Sequence, residues 1–309
     1  MTMLTLFTPA GVLAKAAPLK LAAKRLKALG FEVHTDASAL AKHQRFAGDD
    51  DTRLATLHRV AEQAPAIALA TRGGYGMTRL LDRIDWAGVA KSVERGTRWV
   101  GQSDLTALQL GLIAHVKSGA PAITWAGPLA CDDFGRTDDA GGVDDVTQDC
   151  FVEAMSGELE AVGFRTEVGF DGLAARGTLW GGNLCMLNSL LGTKHMPRIK
   201  GGVLFLEDVN EHPYRIERNL LQLHQAGVLG AQKAVVLGAF SGWRKSPLDR
   251  GYSMKAVVAH LRSVTNTPIL TGLPFGHVPT KVTMPVGAKV QLAVQRRDVF
   301  IGWEHGHPH

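Results

Sequence analysis

Ser103, Glu207 and His277 are of the residue types that together activate a nucleophile. A serine hydroxyl attacks poorly until an imidazole accepts its proton, and a carboxylate orients that imidazole and stabilises its cation. Each residue follows an apolar run that reads as a strand. Ser103 comes after Trp99-Val100 in Gly101-Gln102-Ser103-Asp104, Glu207 ends Val203-Leu204-Phe205-Leu206, and His277 follows Pro268-Ile269-Leu270 through a turn rich in Gly and Pro. All three are expected just beyond the carboxyl ends of strands, where open α/β sheets bind ligands. Their order along the chain is Ser, acid, His, the order of α/β-hydrolases. However, Gly101-Gln102-Ser103-Asp104-Leu105 lacks the second glycine of a G-x-S-x-G elbow. From spacing alone Ser103 reads first as the N-cap of a following helix. Asp208 and Glu211 are alternatives to Glu207 as the acid.

A second feature is Arg72-Gly73-Gly74-Tyr75-Gly76, which follows the apolar run Ala66–Ala70. Glycines at a strand-to-helix turn let backbone N–H groups come close to an anion. Neither a dinucleotide fingerprint nor a Walker A loop is completed: Arg79 stands where the last Gly of the former would fall, and no Gly-Lys-Ser/Thr follows. The segment is left as an oxyanion or anion cradle, or a tight turn. No nicotinamide or other cofactor is implied. Three widely spaced cysteines (Cys131, Cys150, Cys185) argue against a disulfide scaffold or a Cys-type zinc site. His305, His307 and His309 form an alternating tail, and the Asp/Gly-rich stretch 138–145 does not match an EF-hand, so no metal site is expected.

These residues need a scaffold, and periodicity supplies one. Leu4–Phe7, Phe31–Thr35, Ala66–Ala70, Trp99-Val100 and Ala122–Trp125 read as strands. Between them lie helical patterns such as Leu19, Ala22, Leu26 and Leu29, a helix from about Asp51 to Ala64, another after Gly76, and one from about Leu105 to Lys117 stopped by Gly119. Such alternation predicts a parallel sheet with helices on its faces. The signal weakens from about 132 to 175. A second unit is expected from about Gly177, with a helix after Asn183, strands at Gly202–Leu206, Ala234–Ala239 and Pro268–Leu270, helices at about Tyr214–Gln225 and Met254–Arg262, and β-type alternation at Val282–Val286 and Val290–Val294. The division is therefore residues 1–135 as an N-terminal domain, 136–176 as a connection and 177–309 as a C-terminal domain. The fold class is α/β: a Rossmann-like, flavodoxin-like parallel-sheet domain followed by an α/β domain with a β-rich end.

The 309 residues carry a net charge of +5, with 45% hydrophobic and 20% charged residues. The cations are dispersed, so no nucleic-acid arm stands out, and no apolar run reaches the ~20 residues a membrane helix needs. Leu4–Leu13 is interrupted by Pro9 and Gly11 and has no preceding Lys or Arg, which sets it apart from a signal peptide. The expectation is a cytoplasmic protein whose mature chain starts at Met1.

Taken together, these segments resemble the LD-carboxypeptidases (muramoyltetrapeptide carboxypeptidases), a serine peptidase family that includes microcin-immunity hydrolases. The resemblance rests on Arg72–Gly76 with Arg79-Leu80-Leu81 and Ile84-Asp85-Trp86, and on Gly101–Ala107; upstream of these motifs Arg45-Phe46-Ala47-Gly48 with Arg53 also fits. It continues through Gly177–Leu184, Leu206–Arg215, and Gly276-His277 before Pro285-Val286-Gly287. It spans about residues 7 to 295, and five ordered motifs outweigh the cap reading of Ser103. The resemblance implies Ser103 as nucleophile, His277 as general base and Glu207 as its orienting acid, with the backbone N–H groups of Gly74 and Asp104 as the oxyanion hole and the site in an inter-domain groove. It places Gly73, Tyr75, Trp180 and Asn183 near substrate, and it implies a homodimer. The implied substrate is a murein tetrapeptide, free or in UDP-MurNAc or anhydro-muropeptide form, cut between meso-diaminopimelate and the terminal D-alanine in peptidoglycan recycling. One departure is Ala10, where the family often has Ser. The alternatives are a microcin-type amidase acting on an aminoacyl nucleotide, which Trp180 would support by stacking, and a non-catalytic two-domain ligand-binding module.

Overall fold

A computed structural model describes residues 1–116 and 122–303, which divide into two compact units. Lys117 and Gly119, expected to end a helix, and the tail histidines lie outside the described residues. The first unit comprises Met1–Glu158, Gly192–Pro197 and Pro279–Val286; the second comprises Leu159–Leu191, Arg198–Val278 and the chain from Gly287. Residues 136–176, expected to connect two domains, instead carry α5 (Asp145–Ser156) of the first unit and β6 (Ala161–Arg165) of the second.

The first unit is a six-stranded sheet in the order β11-β5-β4-β3-β1-β2. Its strands are β1 (Thr2–Phe7), β2 (Phe31–Thr35), β3 (Ile67–Ala70), β4 (Arg98–Gly101), β5 (Thr124–Ala126) and β11 (Met284–Val286). All neighbours are parallel except β11, which runs antiparallel to β5. The order 2-1-3-4-5 is the flavodoxin-like one. All four residues of β3 are buried, as a central parallel strand covered on both faces requires. Among the helices, α1 (Ala17–Ala28) turns Leu19, Ala22 and Leu26 inward, as the spacing predicts. In α2 (Asp50–Gln63) the capping Asp49 carboxylate accepts from the Thr52 N–H at 2.8 Å. The segment after Gly76 is a short 3-10 turn (Met77–Arg79) rather than a full helix, and α3 (Trp86–Glu94) follows it. In α4 (Thr106–His115) seven consecutive residues, Thr106 to Leu112, are buried, which marks an interior helix. The segment 192–197 belongs here through His195, whose ring lies 3.2 Å from Asp82 Oδ1 and 2.9 Å from His115 Nε2.

The second unit has a seven-stranded sheet in the order β10-β9-β8-β7-β12-β13-β6. Strands β7 (Ala174–Asn183), β8 (Val203–Val209), β9 (Ala234–Ser241) and β10 (Ile269–Thr271) pair in parallel. Strands β12 (Lys289–Gln295), β13 (Asp298–Trp303) and β6 extend the sheet antiparallel. The parallel end consists of apolar runs, whereas β6, β12 and β13 alternate buried and exposed residues as half-covered strands do. Helices α6 (Leu184–Ser189), α7 (Pro213–Gln225) and α8 (Met254–Val264) belong to this unit. One expectation changes: the strand read at Val282–Val286 pairs with β5 in the first sheet rather than closing the second. Among the described residues, no helix is long and apolar enough to cross a membrane.

Candidate active site

In the first unit, the point where connections diverge lies between β1 and β3, and such points leave a crevice at the strands' carboxyl ends. The loops after these two strands meet there. The Gly11 N–H donates to the Gly73 carbonyl at 3.0 Å, and the Thr71 N–H donates to the Phe7 carbonyl at 2.9 Å. Gly74 has φ 93°, and a Cβ there would stand 3.0 Å from the Gly11 Cα, so the turn needs glycine on both counts. Ala10, at the position where the sequence departs from the family pattern, is buried beside this junction.

Ser103 follows β4 across an extended Gln102 and takes φ 63°, a left-handed conformation that costs a non-glycine residue on the order of 1–3 kcal/mol. It is the first residue of a 3-10 turn (Ser103–Leu105) whose cap position is Gln102. The N-cap alternative therefore does not describe it. The geometry is that of a strand-to-helix elbow, in which a strained turn holds the hydroxyl up from the sheet. The glycine loop lies against it: a Cβ on Gly73 would be 2.6 Å from Ser103 Oγ and 3.4 Å from the Asp104 nitrogen. Tyr75 is half-exposed at the same turn, its ring 5.8 Å from that of Phe46.

In the second unit, Glu207 lies inside β8 rather than beyond it, at a register irregularity between Leu206 and Asp208. Glu207 and Asp208 are both buried, as successive residues of a central parallel strand are. The parallel register puts Asn183 of β7 directly beside Glu207. The Asn183 amide donates at 3.1 Å both to Glu207 Oε1 and to Asp208 Oδ1. Its own oxygen accepts the Met186 N–H that opens α6. Asp208 also accepts from the N–H groups of Cys185 at 3.0 Å and Val209 at 2.8 Å. Burial, reinforced by the charge of Glu207, pushes its carboxyl up to about 6.

His277 reaches this cluster from the loop after β10. Its Nδ1 is 2.8 Å from Glu207 Oε2. A carboxylate can only accept, so Nδ1 carries the proton and Nε2 is the basic nitrogen of the neutral ring. The loop is held by the Ala239 N–H donating to the Phe275 carbonyl at 2.8 Å and by the Ser241 hydroxyl donating to the His277 carbonyl at 3.1 Å. Gly276, at φ 133°, leaves room for the pair, since a Cβ there would be 3.1 Å from Glu207 Oε2. Of the three candidate acids, Glu207 is the one bonded to the imidazole; Glu211 pairs with Arg215 at 3.6 Å.

The structure thus places Ser103, Asp104, Gly73, Gly74 and Tyr75 in the first unit and brings Gly73 against Ser103. It places Glu207, His277, Trp180 and Asn183 in the second and brings Glu207, His277 and Asn183 together. Two substrate-contact expectations change. Trp180 is 1% exposed and its indole N–H donates to Gln232 Oε1 at 3.0 Å, which makes it a core residue and not a cleft wall. Asn183 is buried, and its amide is turned to the two carboxylates. Its position next to the acid depends on pairing between strands twenty-four residues apart in sequence, which no local pattern signals.

Comparison with known proteins agrees with this architecture. Residues 4–120 match the LD-carboxypeptidase N-terminal domain and residues 176–292 the LD-carboxypeptidase C-terminal domain. A probable murein peptide carboxypeptidase of Bacillus subtilis is 30% identical over 94% of this chain and 90% of its own. The murein tetrapeptide carboxypeptidase of Pseudomonas aeruginosa is 28% identical over 94% and 93%. The crystal structure of muramoyltetrapeptide carboxypeptidase from Oxalobacter formigenes superposes with a TM-score of 0.86 at 39% identity, covering 97% of this chain and 99% of that one. The microcin C7 self-immunity protein MccF, at 19% identity and a TM-score of 0.84 over 98% and 96%, shares the fold. The chain belongs to the LD-carboxypeptidase family of peptidases.

Proposed function

We propose that the protein is a serine L,D-carboxypeptidase that releases the terminal D-alanine from a murein tetrapeptide during peptidoglycan recycling, with Ser103, His277 and Glu207 as its catalytic triad. The observation that carries this reading is the 2.8 Å contact between the buried Glu207 and the part-buried His277, in which Nδ1 faces the carboxylate and Nε2 serves as the base. The strained Ser103 turn against the glycine loop supports the nucleophile assignment.

In this mechanism Ser103 Oγ attacks the carbonyl carbon of the diaminopimelate–D-alanine amide while His277 Nε2 takes the hydroxyl proton. The Gly74 and Asp104 N–H groups receive the oxyanion; removing one such donor typically costs about 3 kcal/mol of transition-state stabilisation. Collapse breaks the C–N bond as His277 returns its proton to the departing D-alanine amine. Water then attacks the acyl-serine, again giving its proton to Nε2, and the new carboxylate leaves as Ser103 recovers its proton. Glu207 keeps its contact with Nδ1 throughout and orients and stabilises the imidazolium.

The test is D-alanine release from murein tetrapeptide by the wild type beside Ser103→Ala. Release is expected from the wild type and a loss of about 10⁶-fold from the variant. Activity surviving in Ser103→Ala would overturn the assignment. The amidase alternative loses its aromatic support, because Trp180 is enclosed in the core.

A further inference from the structure

We propose that the side chain of Asp104 is a positioning residue: with Arg53 it clamps the Gly73–Met77 turn so that the turn's N–H donors stay aimed beside Ser103. The proposal rests on the nucleophile reading of Ser103 given above, and it concerns side chains to which that reading gives no part.

The turn is tied from two sides. Asp104 immediately follows the strained Ser103, and its Oδ2 accepts the Met77 N–H at 2.7 Å, linking the elbow to the far end of the glycine loop. On the other side the Arg53 guanidinium, itself fully buried, donates through Nη1 to the Gly76 carbonyl at 2.8 Å. Arg53 is held in turn by an ion pair with Asp50 and lies 4.7 Å over the Phe46 ring. Gly76, at φ 152°, has no room for a side chain, since a Cβ would be 2.4 Å from Arg53 Nη1. Both ties grip one peptide group, that joining Gly76 to Met77, and so anchor the end of the loop that carries Gly74, the expected donor, and Gly73, which lies against Ser103 Oγ.

The choice of residue argues for a role beyond folding. Asp104 is 1% exposed, its Oδ1 has no hydrogen-bond partner, and burial pushes its carboxyl up to about 7. An amide would accept the same N–H with a smaller desolvation cost. In its ionised form the carboxyl accepts more strongly than an amide, and Arg53 favours that form, so the arrangement gives up stability for a stiffer turn. A loosened turn would leave substrate binding intact and weaken only the oxyanion contacts, which are made in the transition state.

The experiment uses an alkyl fluorophosphonate, which phosphonylates an activated serine with loss of fluoride and places its polarised phosphoryl oxygen where the tetrahedral oxyanion would lie. Labelling rate is read together with kcat and KM for D-alanine release, and folding is checked by thermal melting. Asp104→Ala is expected to label about 100-fold more slowly and to lose kcat to a similar extent with KM within about threefold. Asp104→Asn is expected to recover about tenfold of that loss. Asp104→Glu keeps the charge but moves the oxygen by one methylene, and is expected to label as slowly as Asp104→Ala. If a folded Asp104→Ala or Asp104→Glu labels at the wild-type rate, the clamp is refuted; Asp104→Glu carries the test should Asp104→Ala not fold. If the wild type itself is not labelled, or Ser103→Ala is labelled equally, the nucleophile reading fails and the clamp falls with it.

Discussion

The two halves of the proposed catalytic machinery are built by opposite means. On the serine side the backbone does the shaping: Ser103 at φ 63°, Gly74 at φ 93°, and a loop that admits no Cβ at Gly73. On the acid–base side the shaping is by side chains. Asn183, Glu207 and Asp208 on parallel strands β7 and β8 bond one another, and His277 joins Glu207 from the loop after β10, with a single irregularity in β8. Both sides carry the desolvation cost of a buried carboxyl, Asp104 on one and Asp208 on the other, and the serine side adds conformational strain at Ser103. Both costs are borne by the tertiary structure, and each leaves its own experimental signature.

The contrast breaks if the halves do not act as one unit. Ser103→Ala and His277→Ala are each expected to lower kcat by about 10⁶-fold, and the double variant should be no worse than either, because residues that serve one proton transfer are not additive. Steady-state kinetics of the three variants check this, and a multiplicative loss would separate the two regions. A smaller effect is expected from a methyl group on the backbone-built side. Gly73→Ala puts a Cβ 2.6 Å from Ser103 Oγ, so a loss of about 10²-fold in kcat with a largely unchanged melting temperature is expected. An unchanged kcat would mean that the loop yields freely.

The smallest effect sharpens the other side. The Asp208 carboxyl sits at about 6 in the folded protein and near 3.8 when unfolded. Between those values the unfolded chain has lost a proton that the native state keeps, so this group costs stability as pH rises from about 4 to about 6, and by a constant amount above that. Relative to the wild type, Asp208→Asn should therefore gain up to about 3 kcal/mol over that window. Denaturant unfolding at pH 4 and pH 7 measures the difference, and a gap that does not change with pH would contradict the assigned burial cost.

Some of the molecule can be read from residue order, some cannot. The alternation of apolar runs and helical stripes through about residue 115 predicts the parallel sheet, because buried parallel strands are uniformly apolar and their crossover helices are amphipathic. The stretch 132–175 hides α5 and β6. Val162 and Phe164 alternate with Ala161, Gly163 and Arg165, a pattern too short to stand out until β13 pairs with it. The strand at Met284–Val286 looks continuous with β12, yet it closes the first sheet, since periodicity says which face is buried and not which sheet receives it. Trp180 shows the same limit: its neighbouring glycines suggest an open cleft, and only the packing of β7 against β8, with Gln232 accepting the indole N–H, makes it interior.

What residue order determined by itself is the chemistry on offer: a serine after a strand, a glycine turn, an acid and a histidine, each near the end of an apolar run where a sheet exposes its ligand-binding edge. What only tertiary structure decided is which acid meets the histidine, that the serine's turn is strained rather than a simple cap, and that Asn183 and Asp104 spend their side chains holding other groups in place. The physical reason is that types and spacings act over a few residues. A 2.8 Å contact between Glu207 and His277, seventy residues apart, is set by strand register and loop closure, which depend on the whole sheet.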